Sequence, residues 1–147
     1  MVRKKTVMIV WILIAAVGWP LTIHAQGLAR PAAGSPAAAS KATLIQAIVC
    51  EEVKDGIPVN ASVAFSISAG KIYCFTIFDN ISEDMPIYHH WIFRDRPSAR
   101  IRLSLKHPRW ATYSSIQLRE ADKGPWRVEI TDAGGRVFKI LRFSVTD

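Results

Sequence analysis

The chain has 147 residues, half of them hydrophobic and 21% charged, and its formal net charge is +7 at pH 7. This length allows one domain with a substantial core but not two. Without the three cations of residues 3–5 the net charge is +4, an excess well short of a nucleic-acid-binding composition, so no nucleic-acid partner is expected.

Residues 1–25 have the pattern of a secretory signal peptide. Residues 3–5 are Arg-Lys-Lys, residues 6–19 are uncharged and mostly apolar, and Ala25 is a small residue at the expected cleavage position. The apolar run is shorter than the ~20 residues that a membrane-spanning helix needs. We therefore expect cleavage after Ala25, no stable membrane span afterwards, and a periplasmic or secreted bacterial protein. A retained signal that anchors the chain is the weaker alternative.

Residues 26–41 are predicted to be a flexible tether. They contain six Ala, two Pro, two Gly and two Ser, with no aromatic or β-branched residue. Such a segment cannot bury enough apolar surface to offset the entropy of ordering. Cleavage would leave 122 residues with a net charge of +4, because three of the 19 Lys and Arg lie in the signal peptide.

Residues 42–147 are predicted to form an all-β domain. Short β-branched and aromatic runs alternate with turn residues about every ten positions, which is typical of a sandwich or barrel. Seven or eight strands favour an immunoglobulin-like antiparallel β-sandwich. The strand candidates are residues 44–50, 62–67, 71–78, 87–93, 100–106, 110–118, 126–131 and 137–145. Apolar residues on both faces of the last strand indicate a bulge near Ile140.

Positive charge is concentrated in residues 94–109. This window holds one acid and six cations, namely Asp95 with Arg94, Arg96, Arg100, Arg102, Lys106 and Arg109. Within the candidate strand 100–106, Ile101, Leu103 and Leu105 alternate with polar residues. That period of two predicts one buried face and one cationic face.

Several short motifs together resemble a protein family. In chain order they are Tyr88-His89-His90-Trp91, Arg109-Trp110, Ser114-Ser115, Gly124-Pro125-Trp126-Arg127-Val128, Asp132 with Gly135, and Phe143-Ser144-Val145. This order is similar to a bacterial domain-of-unknown-function family, number 2914, across most of residues 50–145. The resemblance implies an exported or membrane-associated protein whose domain has no assigned activity.

The sequence contains no catalytic motif, so we expect no enzyme, no catalytic residue, no metal and no cofactor. His89 shares its predicted strand face with Trp91, which favours a buried imidazole that links the two sheets by hydrogen bonds. His90 is expected to be exposed. The alternative is a small envelope enzyme or metal-handling protein that uses His89, His90 and His107.

Cys50 and Cys74 are the two cysteines of the chain. An exported protein meets an oxidising compartment, and both residues lie in apolar strand contexts, so a disulfide between them is predicted. The alternative is two buried thiols that never meet.

The sequence favours a binding module over an enzyme. We predict that Arg94, Arg100 and Arg102 form a cationic face flanked by Tyr88 and His90, if the two strands pair as a hairpin. An anionic glycan, a phosphate-bearing polymer or a peptide of the cell envelope would fit such a face, and an ordinary solvated surface is the competing interpretation. A third hypothesis is an accessory subunit recognised through a sheet edge.

Overall fold

The computed structural model describes residues 41–147, so the predicted signal peptide and all of the predicted tether except Lys41 lie outside the described residues. Nine strands and two short 3₁₀ turns make up this part of the chain. Among its residues, no helix is long and apolar enough to cross a membrane. The strands are β1 (Thr43–Lys54), β2 (Ile57–Ala61), β3 (Ala64–Ser66), β4 (Lys71–Asp79), β5 (Met85–Phe93), β6 (Arg96–Leu105), β7 (Trp110–Gln117), β8 (Gly124–Asp132) and β9 (Val137–Thr146).

The strands form two sheets, which confirms the predicted all-β sandwich. The four-stranded sheet has the order β2-β1-β4-β7, and the five-stranded sheet has the order β3-β9-β8-β5-β6. The paired strands run antiparallel except β3 and β9, which run parallel. All eight strand candidates overlap an observed strand.

The additional strand is β2, so the sandwich has nine strands instead of seven or eight. Pro58 and Asn60 give this segment a turn-like composition, which hides it in the sequence. Asp55 and Gly56 both have positive φ, the backbone conformation of a two-residue hairpin turn, and they fold β2 back onto β1.

The core lies between the inner faces of the two sheets. On β5, Ile87, His89 and Trp91 are buried and alternate with the partly exposed Tyr88 and His90. Aromatic rings fill the space between the sheets at one end, since the Phe143 ring packs against those of Trp91, Trp126 and Phe65. The alternation of residues along β5 therefore determines which of its side chains are buried and which are exposed to solvent.

A bulge interrupts β9 where the sequence predicts one. The register with β8 shifts between Ile130 and Thr131, which pair with Lys139 and Val137. The extra residue, Phe138, packs edge-on against Phe78 with 5.1 Å between ring centroids. Beyond the bulge, Ile140 and Arg142 point to the outer face of the five-stranded sheet because they pair with Glu129 and Arg127.

The predicted disulfide is wrong, because both cysteines are free in the structure. The β1–β4 register pairs Val49 with Cys74 and Cys50 with Tyr73. Paired residues share a face and successive residues alternate, so the thiols of Cys50 and Cys74 point to opposite faces of the sheet. The sequence could not reveal this, because a register shift of one residue reverses the outcome.

Both thiols should be unreactive in the folded protein and reactive after unfolding. Burial raises the pKa of the Cys50 and Cys74 thiols, which lowers the fraction of the nucleophilic thiolate. Purified protein, never exposed to reductant, should take up two maleimide groups in denaturant and almost none without it, as counted by intact mass. No labelling in denaturant would mean that the two sulfurs are already joined.

Candidate functional site

The outer face of the five-stranded sheet brings together most of the predicted binding residues. β5 and β6 pair as a hairpin in which Tyr88 lies opposite Arg102 and His90 lies opposite Arg100. On the other side of β5, Tyr88 pairs with Thr131 and His90 with Glu129 of β8. We call the surface formed by Tyr88, His90, Arg100, Arg102, Arg127, Glu129 and Arg142 the basic face.

Contacts between neighbouring side chains fix the centre of the basic face. The Arg100 guanidinium lies over the Tyr88 ring, 4.0 Å from its centroid. His90 Nε2 lies 3.0 Å from the Thr131 hydroxyl oxygen. Partial burial, followed by the positive charge of Arg100, lowers the pKa of His90 below its ordinary value, although Glu129 acts in the opposite direction. His90 is therefore a neutral side chain at pH 7, and the arginines supply the charge.

The arginines of the basic face differ in their pairing. Arg127 donates from Nε to Glu129 at 2.8 Å and also pairs with Asp95 in the β5–β6 turn. Within residues 41–147, no carboxylate forms an ion pair with Arg100, Arg102 or Arg142, and the last of these lies directly opposite Arg127. Like charges opposite one another on a sheet are destabilising. The basic face therefore has positive charge that the described residues do not neutralise.

A groove of about 300 Å³ opens beside Arg100. It lies at a bulge of β6, where Trp91 pairs with Ala99 but Ile92 pairs with Pro97, so that Ser98 is the extra residue. Arg100, His90, Glu129 and Ser98 supply polar groups to the groove, and Ile92, Pro97 and Ala99 supply apolar wall. The groove thus combines a cation, a carboxylate and an apolar surface within one small volume.

Arg94, which the sequence places in the cationic face, has a different position. It lies in the β5–β6 turn with φ of 45°, and its guanidinium stacks over the Phe93 ring at 4.9 Å. Its Nη2 donates to the Lys123 carbonyl at 2.9 Å. This contact joins the turn to the start of β8, where a Cβ on Gly124 would come within 3.1 Å of Arg94 Nε. Arg94 therefore stabilises the corner of the sandwich instead of extending the basic face.

Three residues of the basic face, Arg127, Glu129 and Arg142, were not among the predicted site residues. Arg127 alternates with Trp126 and Val128, so the polar face of its strand is visible in the sequence. Arg142 follows the β9 bulge. The sequence therefore predicts which face of the sheet Arg142 lies on only if the position of the bulge is known. Arg127 and Glu129 are two residues apart on β8, and pairing with β9 places Arg142 directly opposite Arg127.

Comparison with known protein families finds a similarity over the larger part of the five-stranded sheet. Residues 84–145 match the family described as "Protein of unknown function (DUF2914)". Over these residues the chain is similar to that family. The match covers nearly all of β5 to β9, a narrower range than residues 50–145.

Comparisons with curated proteins and with solved structures assign no function to the chain. No curated protein matches the chain. Similar solved structures include a β-glucosidase from Kluyveromyces marxianus, 10% identical over 72% of this chain with a TM-score of 0.40. Another is a β-glucosidase from Listeria innocua in complex with isofagomine, 11% identical over 71% of this chain with a TM-score of 0.39. This chain covers 14% and 16% of those two chains, which gives no ground for assigning it their activity.

The motif residues that resemble DUF2914 include a buried hydrogen-bonded cluster between the sheets. Ser114 Oγ of β7 lies 2.8 Å from His89 Nδ1 and accepts a hydrogen bond from Trp91 Nε1 at 3.0 Å. A serine hydroxyl that accepts from the indole can donate its own proton to the imidazole, which leaves His89 neutral. His89 is thus the buried link between the sheets that the sequence predicts.

Trp126, which belongs to another of the motifs that resemble DUF2914, also stabilises the fold. Its Nε1 donates to the Asp122 carbonyl at 2.8 Å, and its ring stacks on Phe93 with 4.8 Å between centroids. The buried residues of these motifs, such as Trp91 and Trp126, therefore hold the sandwich together, whereas their motif neighbours Tyr88, His90 and Arg127 lie on the basic face.

The structure does not bring the three histidines of the alternative hypothesis together. His89 and His90 point to opposite faces of β5, and His107 Nδ1 lies 2.5 Å from the Ile81 carbonyl oxygen. Among residues 41–147, no group of three His, Cys, Asp or Glu side chains could hold a metal ion. The described residues therefore do not bring His89, His90 and His107 into one site.

Folding stability should fall in mild acid because of His89. Burial, with a smaller contribution from His90, lowers its pKa to about 4 in the folded protein, against about 6.5 when unfolded. Between these values the unfolded chain binds the proton and the folded chain does not, so stability falls as the pH drops from 6.5 to 4. The loss amounts to about 3 kcal/mol and is complete below pH 4.

Urea unfolding between pH 7 and pH 4 measures this dependence. His89→Gln removes the titrating group and should flatten the pH dependence, even if it lowers the stability at pH 7. His90→Gln is the control and should keep most of the dependence. An unchanged slope in His89→Gln would contradict the assignment of a buried neutral imidazole.

Proposed function

We propose that this domain is an exported, non-catalytic binding module whose basic face binds an anionic partner of the cell envelope. The observation that carries the proposal is the set of three arginines, Arg100, Arg102 and Arg142, without a carboxylate partner among residues 41–147. Unpaired arginines on one rigid surface are suited to bind carboxylate or phosphate groups, since the guanidinium offers a planar fork of donors.

The geometry of Arg100 supports this role. Its stacking over Tyr88 holds a long side chain in a defined position before any ligand arrives. Side chains that are already ordered lose less conformational entropy on binding. Sheet strands, unlike loops, also keep the arginines at fixed spacings, so the basic face presents a preorganised pattern of charge.

The signal-peptide pattern of residues 1–25 supports export. An exported protein with a basic face meets the acidic polymers and lipids of the envelope first. The groove beside Arg100 supports binding of a small part of such a partner, because it offers both polar groups and apolar wall.

Replacing the two arginines of β6 should weaken binding without unfolding the domain. Arg100 and Arg102 are exposed and lie outside the core. Exposed charge pairs contribute up to about 1 kcal/mol each, so the double variant Arg100→Ser/Arg102→Ser should raise the Kd for an immobilised polyanion such as heparin about tenfold. Wild-type binding should also weaken as salt rises, because exposed charges are screened over about 8 Å at physiological ionic strength.

The matched control removes the same charge from the other sheet. Lys54 and Lys71 belong to strands of the four-stranded sheet, so Lys54→Ser/Lys71→Ser should retain nearly all of the affinity. Surface plasmon resonance across a salt series measures both variants. Equal losses in the two double variants would show that net charge alone governs binding, and the basic face would then have no specific role.

A further inference from the structure

We infer that the ligand of the basic face is a polysaccharide of acidic sugars, with one carboxylated sugar unit seated in the groove beside Arg100. This inference rests on the proposed function, and it selects one ligand class among the anionic polymers of the envelope. Three observations carry it: the position of Glu129, the apolar wall of the groove, and the spacing of the unpaired arginines.

Glu129 places a negative charge in the middle of a cationic surface. Its carboxylate lines the groove together with Arg100 and receives one hydrogen bond from Arg127. A carboxylate has about four lone-pair sites, so it can still accept hydrogen bonds from ligand hydroxyls. The same charge repels a second anion placed against it. The groove therefore favours a ligand unit that has hydroxyl groups beside its acidic group, and disfavours a chain of adjoining phosphates.

The apolar wall fits the C–H surface of a sugar ring. Ile92, Pro97 and Ala99 line the groove together with its polar groups. Small-molecule sites combine such apolar lining with a few placed polar groups that fix orientation. The arginine would pair with the carboxylate of the sugar, while Glu129 and the exposed Ser98 would bind its hydroxyls.

The unpaired arginines are spread over the sheet instead of converging on one point. Arg100 and Arg102 are two residues apart on one strand, which separates their Cα atoms by about 7 Å. Arg142 lies three strands away, about 14 Å across the sheet. A single phosphate cannot contact all three, whereas a polymer with one carboxylate on each sugar unit can.

The experiment compares three polymers of matched length by isothermal titration calorimetry. Polygalacturonate oligomers represent acidic sugars, polyphosphate represents phosphate chains, and dextran represents neutral sugars. Wild-type protein should bind polygalacturonate at least about tenfold more tightly than polyphosphate and should not bind dextran. Glu129→Gln keeps the side-chain volume and should narrow that preference by strengthening polyphosphate binding and weakening polygalacturonate binding.

The matched control is Glu51→Gln. Glu51 belongs to β1 of the other sheet, where it accepts a hydrogen bond from Asn60, so this change removes the same charge without touching the groove. Its polymer preference should equal that of the wild type. Arg142→Ser should weaken binding of long oligomers and leave the binding of the shortest ones unchanged, since only a long chain reaches across the sheet.

The outcomes separate this inference from the proposed function. If polyphosphate binds as tightly as polygalacturonate, and Arg100→Ser/Arg102→Ser weakens both, the basic face binds anions but the inference of an acidic polysaccharide is overturned. If neither polymer is sensitive to Arg100→Ser/Arg102→Ser, the proposed function fails and the inference fails with it.

Discussion

The hydroxyl of Ser114 joins the two sheets at the centre of the sandwich. It belongs to β7 of the four-stranded sheet, and both of its partners, His89 and Trp91, belong to β5 of the five-stranded sheet. All three side chains are buried, and a buried polar group without a partner costs about 1–3 kcal/mol. One hydroxyl therefore supplies the partner of both His89 Nδ1 and Trp91 Nε1, whereas His89 Nε2 is buried without a hydrogen-bond partner among residues 41–147.

The orientation of β5 determines which side chains lie on the outer face of the five-stranded sheet. Because side chains alternate along a strand, fixing His89 and Trp91 in the core directs Tyr88 and His90 to the outside. Pairing with β6 then places Arg100 and Arg102 beside them, and pairing with β8 adds Glu129. The buried residues His89 and Trp91 and the proposed binding surface thus lie on opposite sides of the same strand, so the residues that stabilise the sandwich are separate from those proposed to bind.

Much of the five-stranded sheet follows from local patterns. The alternation in residues 100–106 and 126–131 predicts which side chains face outward, and the hairpin of β5 and β6 brings four of the five predicted binding residues together. Arg94 departs from the prediction, because a positive-φ turn directs it toward Phe93 and the Lys123 carbonyl. The alternation of inward and outward side chains holds along a strand, so it does not predict the direction of a side chain in a turn.

Contacts between distant strands could not be predicted in the same way. The register of β1 against β4 decides that Cys50 and Cys74 point to opposite faces, and nothing local fixes that register. Ser114 as the partner of His89 depends on how the two sheets are superposed, 25 residues apart in the chain. Arg142 joins the basic face only because the β9 bulge shifts its register with β8. Each of these depends on tertiary packing, which no single strand encodes.

The adjacent serines of β7 offer the most direct test of this account. Ser114 is buried against His89 and Trp91, whereas Ser115 pairs with Tyr73 on the outer face of the four-stranded sheet. In equilibrium urea unfolding at pH 7, Ser114→Ala should lower the free energy of unfolding by about 2–4 kcal/mol, because two buried groups lose their partner. Ser115→Ala should change it by about 0.5 kcal/mol or less. Equal effects of the two substitutions would contradict the claim that the Ser114 hydroxyl joins the sheets.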